Sequence, residues 1–151
     1  MDLSTADGTV LTLTILGYEF PDIIDVQYDS NWLVVGLDVQ SAAGRWTTTD
    51  ACLLTYEAHR LADWLEGVAS GAVTNGCGFM EPCLRFESIP GLDGTSIQVI
   101  LDHEFRPPWA TAHAAPDDGY RLEFALASAD LQAAATALRR DLMPYPQRAA
   151  R

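Results

Sequence analysis

The hydrophobic pattern of this chain changes period along its length, and that alternation constrains the fold more than any other feature. Residues 10–16 (VLTLTIL) alternate, with Leu11, Leu13 and Ile15 on one side and Thr12 and Thr14 on the other, the mark of a half-buried strand. Residues 31–40 (NWLVVGLDVQ) repeat the pattern through Leu33, Val35, Leu37 and Val39, and the turn residues 41–44 lead into a β-branched return strand at 45–49. Together these predict a hairpin over 31–49. The period then lengthens to 3.6. Leu54, Ala58, Leu61, Leu65 and Val68 share one helical face with Trp64 at its edge, which predicts a helix over about 56–69 with Thr55 as its N-cap and Gly71 just past its end.

Period 2 then returns. Residues 79–88 read as a strand that Pro82 marks as an edge or a bulge, 90–94 as a turn, and 95–103 and 120–126 as further strands, with an exposed loop over 110–119. The last segment is helical again: Leu131, Ala134, Ala135, Leu138 and Leu142 make one stripe, Ser128 is placed as the cap, and Pro144 stops a helix of about 129–142. Strands joined by tight turns pair antiparallel. The expectation is one α+β domain spanning 1–151, mainly antiparallel sheet with the two amphipathic helices packed on it, and with ends that fray at about 1–8 and 145–151.

Charge narrows the function. There are 21 acids against 9 bases, and every base is arginine; the net charge is −12. Phosphate contacts are the main source of nucleic-acid affinity, so this balance argues against a nucleic acid as partner, and against an anionic membrane surface. Residues 1–16 carry no base and no run approaches a membrane span, so a cytoplasmic protein is expected. Cys52, Cys77 and Cys83 cannot all pair within one chain and lack the C-x-x-C spacing of a zinc site, which makes them buried reduced thiols; no metal and no cofactor is expected.

Catalytic signatures are sparse. His103 stands between Asp102 and Glu104, but adjacent residues of a strand point to opposite faces, so neither carboxylate would orient the imidazole. His59 and His113 have no partner at motif spacing. The chain has no lysine, no G-x-S-x-G, no P-loop and no G-x-G-x-x-G, which leaves catalytic residues unassigned and a non-enzymatic role expected.

The charge map carries more. Residues 1–44 hold seven acids and no base until the chain reaches Arg45, and 18–32 interleave acids with aromatics: Tyr18, Glu19, Phe20, Asp22, Asp25, Tyr28, Asp29 and Trp32. Carboxylates speed the approach of a cationic partner and aromatics anchor it. The competing reading is a solvated acidic loop whose aromatic rings tuck into the core. Partner binding is accordingly assigned to Glu19, Asp22, Asp25, Tyr28, Asp29 and Trp32.

Several short pieces, in order, carry a resemblance. They are Tyr18-Glu19-Phe20-Pro21, Asn31-Trp32-Leu33, Gly44 with Trp46, and Leu53-Leu54-Thr55 with Glu57, Leu61 and Trp64-Leu65. Phe79-Met80-Glu81-Pro82 follows with Leu84 and Phe86, then Glu104-Phe105-Arg106-Pro107-Pro108-Trp109 and a closing helix near Asp130-Leu131. Over about 18–142 the chain resembles the WapI-type immunity proteins, bacterial proteins that neutralise polymorphic toxins. The resemblance implies a cytoplasmic, non-enzymatic protein that binds a toxin domain, and it supplies no catalytic or metal residues. With the acidic surface it leads to an inhibitor of a basic, nuclease-type toxin domain. The alternative is a small-molecule-binding domain or hydrolytic enzyme using His103 and nearby carboxylates; a homodimer is the remaining option.

Overall fold

Each alternating segment becomes a strand, and each strand finds its sequence neighbour. In the computed structural model, which describes residues 1–73, 75–90, 95–110 and 119–149, the first four strands are β1 (Asp2–Ser4), β2 (Val10–Tyr18), β3 (Trp32–Ser41) and β4 (Gly44–Leu54). They form one antiparallel sheet in the order β1-β2-β3-β4. Helix α1 (Thr55–Ala69) follows, and after it β5 (Cys77–Gly78), β6 (Leu84–Pro90), β7 (Thr95–Leu101) and β8 (Tyr120–Leu126) form a second antiparallel sheet, also in chain order. Helix α2 (Ser128–Leu142) closes the described fold. The protein is therefore α+β, as expected, but with two four-stranded sheets rather than one. Hairpin-connected strands pair with their neighbours at low loop-closure cost, and α1 separates the two sets.

A single apolar core joins these layers. The inward faces of the first sheet (Leu11, Leu13, Val35, Leu37) and of the second (Phe86, Val99, Phe124) belong to one buried cluster with Leu61 and Leu65 of α1 and Leu131 and Leu138 of α2. The helices pack on each other, and α2 also meets β1 and β2. Two bulges tune the first sheet. One lies between Ile15 and Gly17, leaving Leu16 exposed on the outer face over Gly36. The other lies opposite Leu33 and Val34, where Cys52 has no cross-strand partner and the buried run Cys52-Leu53-Leu54 leads into α1.

Both helices begin one residue earlier than the periodicity suggests, and the cap assignments change. Leu54 precedes α1, and its N–H donates to Glu57 Oε2 at 3.2 Å; Ala127 precedes α2, and its N–H donates to Asp130 Oδ2 at 3.1 Å. Acids three residues into each helix thus satisfy a free backbone donor and also suit the positive helix end. Thr55 is the first residue of α1, and its hydroxyl is committed elsewhere.

Other boundaries shift for local reasons. The strand expected over 79–88 begins only at Leu84, because Met80–Cys83 form bends and turns around Pro82, which cannot donate to a ladder. The strand expected to end at residue 103 ends at Leu101, and His103–Phe105 form a 3-10 turn capped by Asp102. The turn at 91–94 and the loop at 111–118 lie outside the described residues. At the ends, Leu3 is buried in the paired strand β1 and the Met1 ammonium donates to Leu13 O and Asp141, while Tyr145 packs edge-on to Tyr18 at 5.6 Å. These contacts hold Met1–Ser4 and Tyr145 against the body.

Candidate partner-binding face

The loop between β2 and β3 carries the acid–aromatic run, and a buried polar hub fixes its shape. Asn31 is completely buried and its side chain makes four hydrogen bonds: Nδ2 donates to Gln27 O and Arg148 O, both at 2.8 Å, and Oδ1 accepts from Thr55 Oγ1 at 2.7 Å and Arg148 N at 2.9 Å. One side chain thereby ties the loop, the first turn of α1 and the C-terminal segment together. Ser30, also fully buried, donates its backbone N–H to Val26 O and accepts from Val26 N at 2.9 Å.

Arg148 completes the scaffold. Its Nη1 donates to Pro21 O at 2.9 Å and Ile23 O at 3.0 Å and reaches Phe20 O at 3.5 Å, while its guanidinium lies 3.5 Å from the centre of the Tyr18 ring. The Tyr18 hydroxyl donates to Pro146 O. Burial raises the Tyr18 phenol above its usual range, an effect that Arg148 partly offsets. An acid-rich stretch with no base of its own thus receives one from the far end of the chain.

Held this way, the loop shows aromatic and aliphatic groups to solvent. Phe20, Ile24, Val26 and Tyr28 are 39%, 66%, 45% and 44% exposed, and Glu19, Asp22, Asp25 and Asp29 are exposed among them. The idea that these rings tuck into the core is overturned for Phe20 and Tyr28 and holds only for Tyr18, which is half-buried. Trp32 opens β3 opposite Leu54, with its carbonyl accepting from Glu19 N at 2.9 Å; it is half-buried and sits at the base of the loop.

Tertiary structure adds two acids that the linear run lacked. Glu19's carboxyl is raised above the usual range, first by partial burial and then by the negative charges of Asp50, Asp29 and Glu81. Asp50 comes from β4 and Glu81 from the bend before β6, so neither could be read as part of the face from its position in the sequence. Like charges crowded around an exposed carboxyl favour a cation arriving from outside.

The EFRPPW run is a clamp between the sheets. Trp46 Nε1 donates to Phe105 O at 3.2 Å and Thr48 Oγ1 to Glu104 O at 2.7 Å, which fasten the 3-10 turn onto β4. The Trp46 ring stands edge-on to Trp109 at 5.3 Å and Tyr120 at 5.5 Å. Trp109 lies so close to Gly44 that a Cβ there would come within 2.8 Å of its ring.

His103 does not acquire the geometry of a catalytic base. It is exposed with φ 46°, and Asp102 Oδ1 instead accepts from the His103 backbone N–H at 2.7 Å and from Arg106 Nε at 2.6 Å. Burial raises the Asp102 carboxyl, but these donors lower it by more, to a net value below the usual range. Two described clefts, of about 260 Å³ beside Leu3, Leu126 and Ala134 and about 600 Å³ beside Asp63, Glu66 and Thr136, lie elsewhere. Among the described residues no three His, Cys, Asp or Glu side chains gather as a metal site, and no helix is long and apolar enough to cross a membrane.

An acidic α+β scaffold with one anchored, solvent-facing acid–aromatic loop has the make-up of a protein-binding module. The chain belongs to the Immunity protein WapI-like family, whose description matches residues 2–146. Membership gives it an immunity role, with a cognate toxin as the implied partner. Comparison with curated proteins found no match, nor did comparison with solved structures.

Proposed function

We propose that this protein neutralises a basic, nuclease-type toxin domain in the cytoplasm by binding over its active surface, without a catalytic step of its own. The observation that carries this reading is the anchored loop 19–30, which exposes Phe20, Ile24, Val26 and Tyr28 between carboxylates. Glu19, Asp22, Asp25 and Asp29 steer the toxin, Tyr28 is the anchor, and Trp32 supports the loop from below. Preorganisation by Asn31 and Arg148 lowers the ordering entropy that a flexible acidic loop would lose on binding.

The test begins with capture of the toxin domain from a lysate of the source organism, identified by mass spectrometry. Its association with the wild type and with the triple variant Asp22→Arg, Asp25→Arg, Asp29→Arg is then followed by stopped flow across a salt series. The triple variant is expected to associate roughly tenfold more slowly at low salt and to lose most of the salt dependence. Tyr28→Ala is expected to speed dissociation instead. Unchanged kinetics in all variants would remove this face from the mechanism, and capture of an acidic toxin domain without nuclease activity would overturn the assigned target class.

A further inference from the structure

The two sheets meet at a pair of sulfurs. Cys52 lies at the bulge of β4 and Cys83 just before β6, 31 residues apart, and their Sγ atoms stand 2.6 Å from each other. Both side chains are buried, at 0% and 2% exposure. That separation is well inside the van der Waals contact of two unbonded sulfurs, and little movement is needed to reach bonding distance. Cys77, the remaining thiol, is also buried, and packs near Arg60 of α1.

We propose that Cys52 and Cys83 are a redox-active pair that closes, on exposure to a disulfide oxidant, into a disulfide joining the two sheets, with Cys77 left as a thiol. The reaction is a double exchange. One thiolate attacks the oxidant's disulfide and releases its first thiol; the second cysteine, losing its proton, attacks the resulting mixed disulfide and releases the other. The protein loses two electrons and two protons, and the oxidant becomes two thiols.

The surroundings set how the pair is reached. Residues 80–82 are exposed and form bends rather than strand, whereas Cys52 sits inside a paired strand. Met80 N–H is held by Glu57 Oε1 at 2.9 Å and Gly78 O by Arg60 at 2.6 Å. Release of these two contacts lets the segment before Cys83 lift, which makes Cys83 the entry sulfur. The contact with Cys83, and then burial, hold the Cys52 thiol far above its ordinary range, so exchange passes through this opening and is slow in both directions. The bond would tie β4, two residues from Asp50, to the bend that carries Glu81.

The experiment uses the full chain, incubated with oxidised glutathione or with a reductant. After alkylation, trypsin followed by cyanogen bromide leaves each cysteine on its own peptide, 46–60, 61–80 and 81–85. Expected are a mass lower by about 2 Da after oxidation, a cross-link between peptides 46–60 and 81–85, an alkylated Cys77, and a melting temperature higher by about 10 °C that a reductant reverses. Cys77→Ala is expected to keep the mass loss, the cross-link and the melting shift, and the double variant Cys52→Ala, Cys83→Ala to lose these three. Three alkylated cysteines after oxidation, a cross-link through Cys77, or a persistent glutathione adduct would each overturn the proposal on the wild-type chain alone.

Discussion

Replacing Asn31 by alanine tests whether one buried amide holds the candidate face. The substitution deletes four hydrogen bonds that span three segments of the chain. Their partners are not equally able to recover. Thr55 is fully buried, so its hydroxyl is left with no acceptor and no route to water, at a cost of about 2 kcal/mol. Gln27 O, Arg148 O and Arg148 N are only partly buried and can take up water, so each loses roughly 0.5–1 kcal/mol. The sum is about 4 kcal/mol, or a melting temperature lower by roughly 12 °C for a chain of this size.

Urea unfolding followed by far-UV circular dichroism measures this directly, with an unchanged slope confirming that the native state alone was altered. Hydrogen exchange should quicken chiefly in 19–30 and 144–149, since those segments meet at the amide. Thr55→Val removes the orphaned hydroxyl, so the double variant should be about 1–2 kcal/mol less destabilised than the two single variants added together. A loss below about 1 kcal/mol, or strict additivity, would refute the hub. So would exchange that quickens uniformly over the molecule.

Two further predictions concern charge and close contact. Glu19 has a folded-state pKa above its unfolded one, so its ionisation opposes folding: stability declines as pH rises through the window between the two values and stays lowered above it. Glu19→Gln should therefore be more stable than wild type at pH 7, and the difference should vanish below the ordinary carboxylate range; a pH-independent difference in thermal melts would contradict this. Gly44→Ala meets both a φ of +145° and the Trp109 ring, so it should cost about 1–2 kcal/mol and push Trp109 off Trp46. Its tryptophan emission should shift to the red, and an unchanged spectrum with full stability would show that the contact is not tight.

The pattern of apolar residues was enough to place most of the regular elements. Strands at 10–16 and 120–126 and helices near 56–69 and 129–142 follow from period alone, because a half-buried strand and a one-sided helix each demand their own repeat. The same signal failed at 79–88 and at 102–103. There a proline and a capping aspartate act over two or three residues, too few to register as a change of period. The core positions of Leu61, Leu65, Trp64 and Phe124 were legible for the same reason as the elements that carry them.

What the sequence determined by itself is the α+β alternation, the excess of acid and the acid–aromatic run between β2 and β3. Tertiary structure alone decided that the strands divide into two sheets, that Asp50 and Glu81 crowd Glu19, and that Cys52 meets Cys83. It also decided that Arg148 reaches back across 125 residues to the carbonyl of Ile23. Periodicity reports which side of an element seeks the core, and composition reports net charge. Neither reports which distant segments the closing of the core will bring together, and charge, hydrogen bonding and sulfur chemistry act only over the few ångströms that this closing sets.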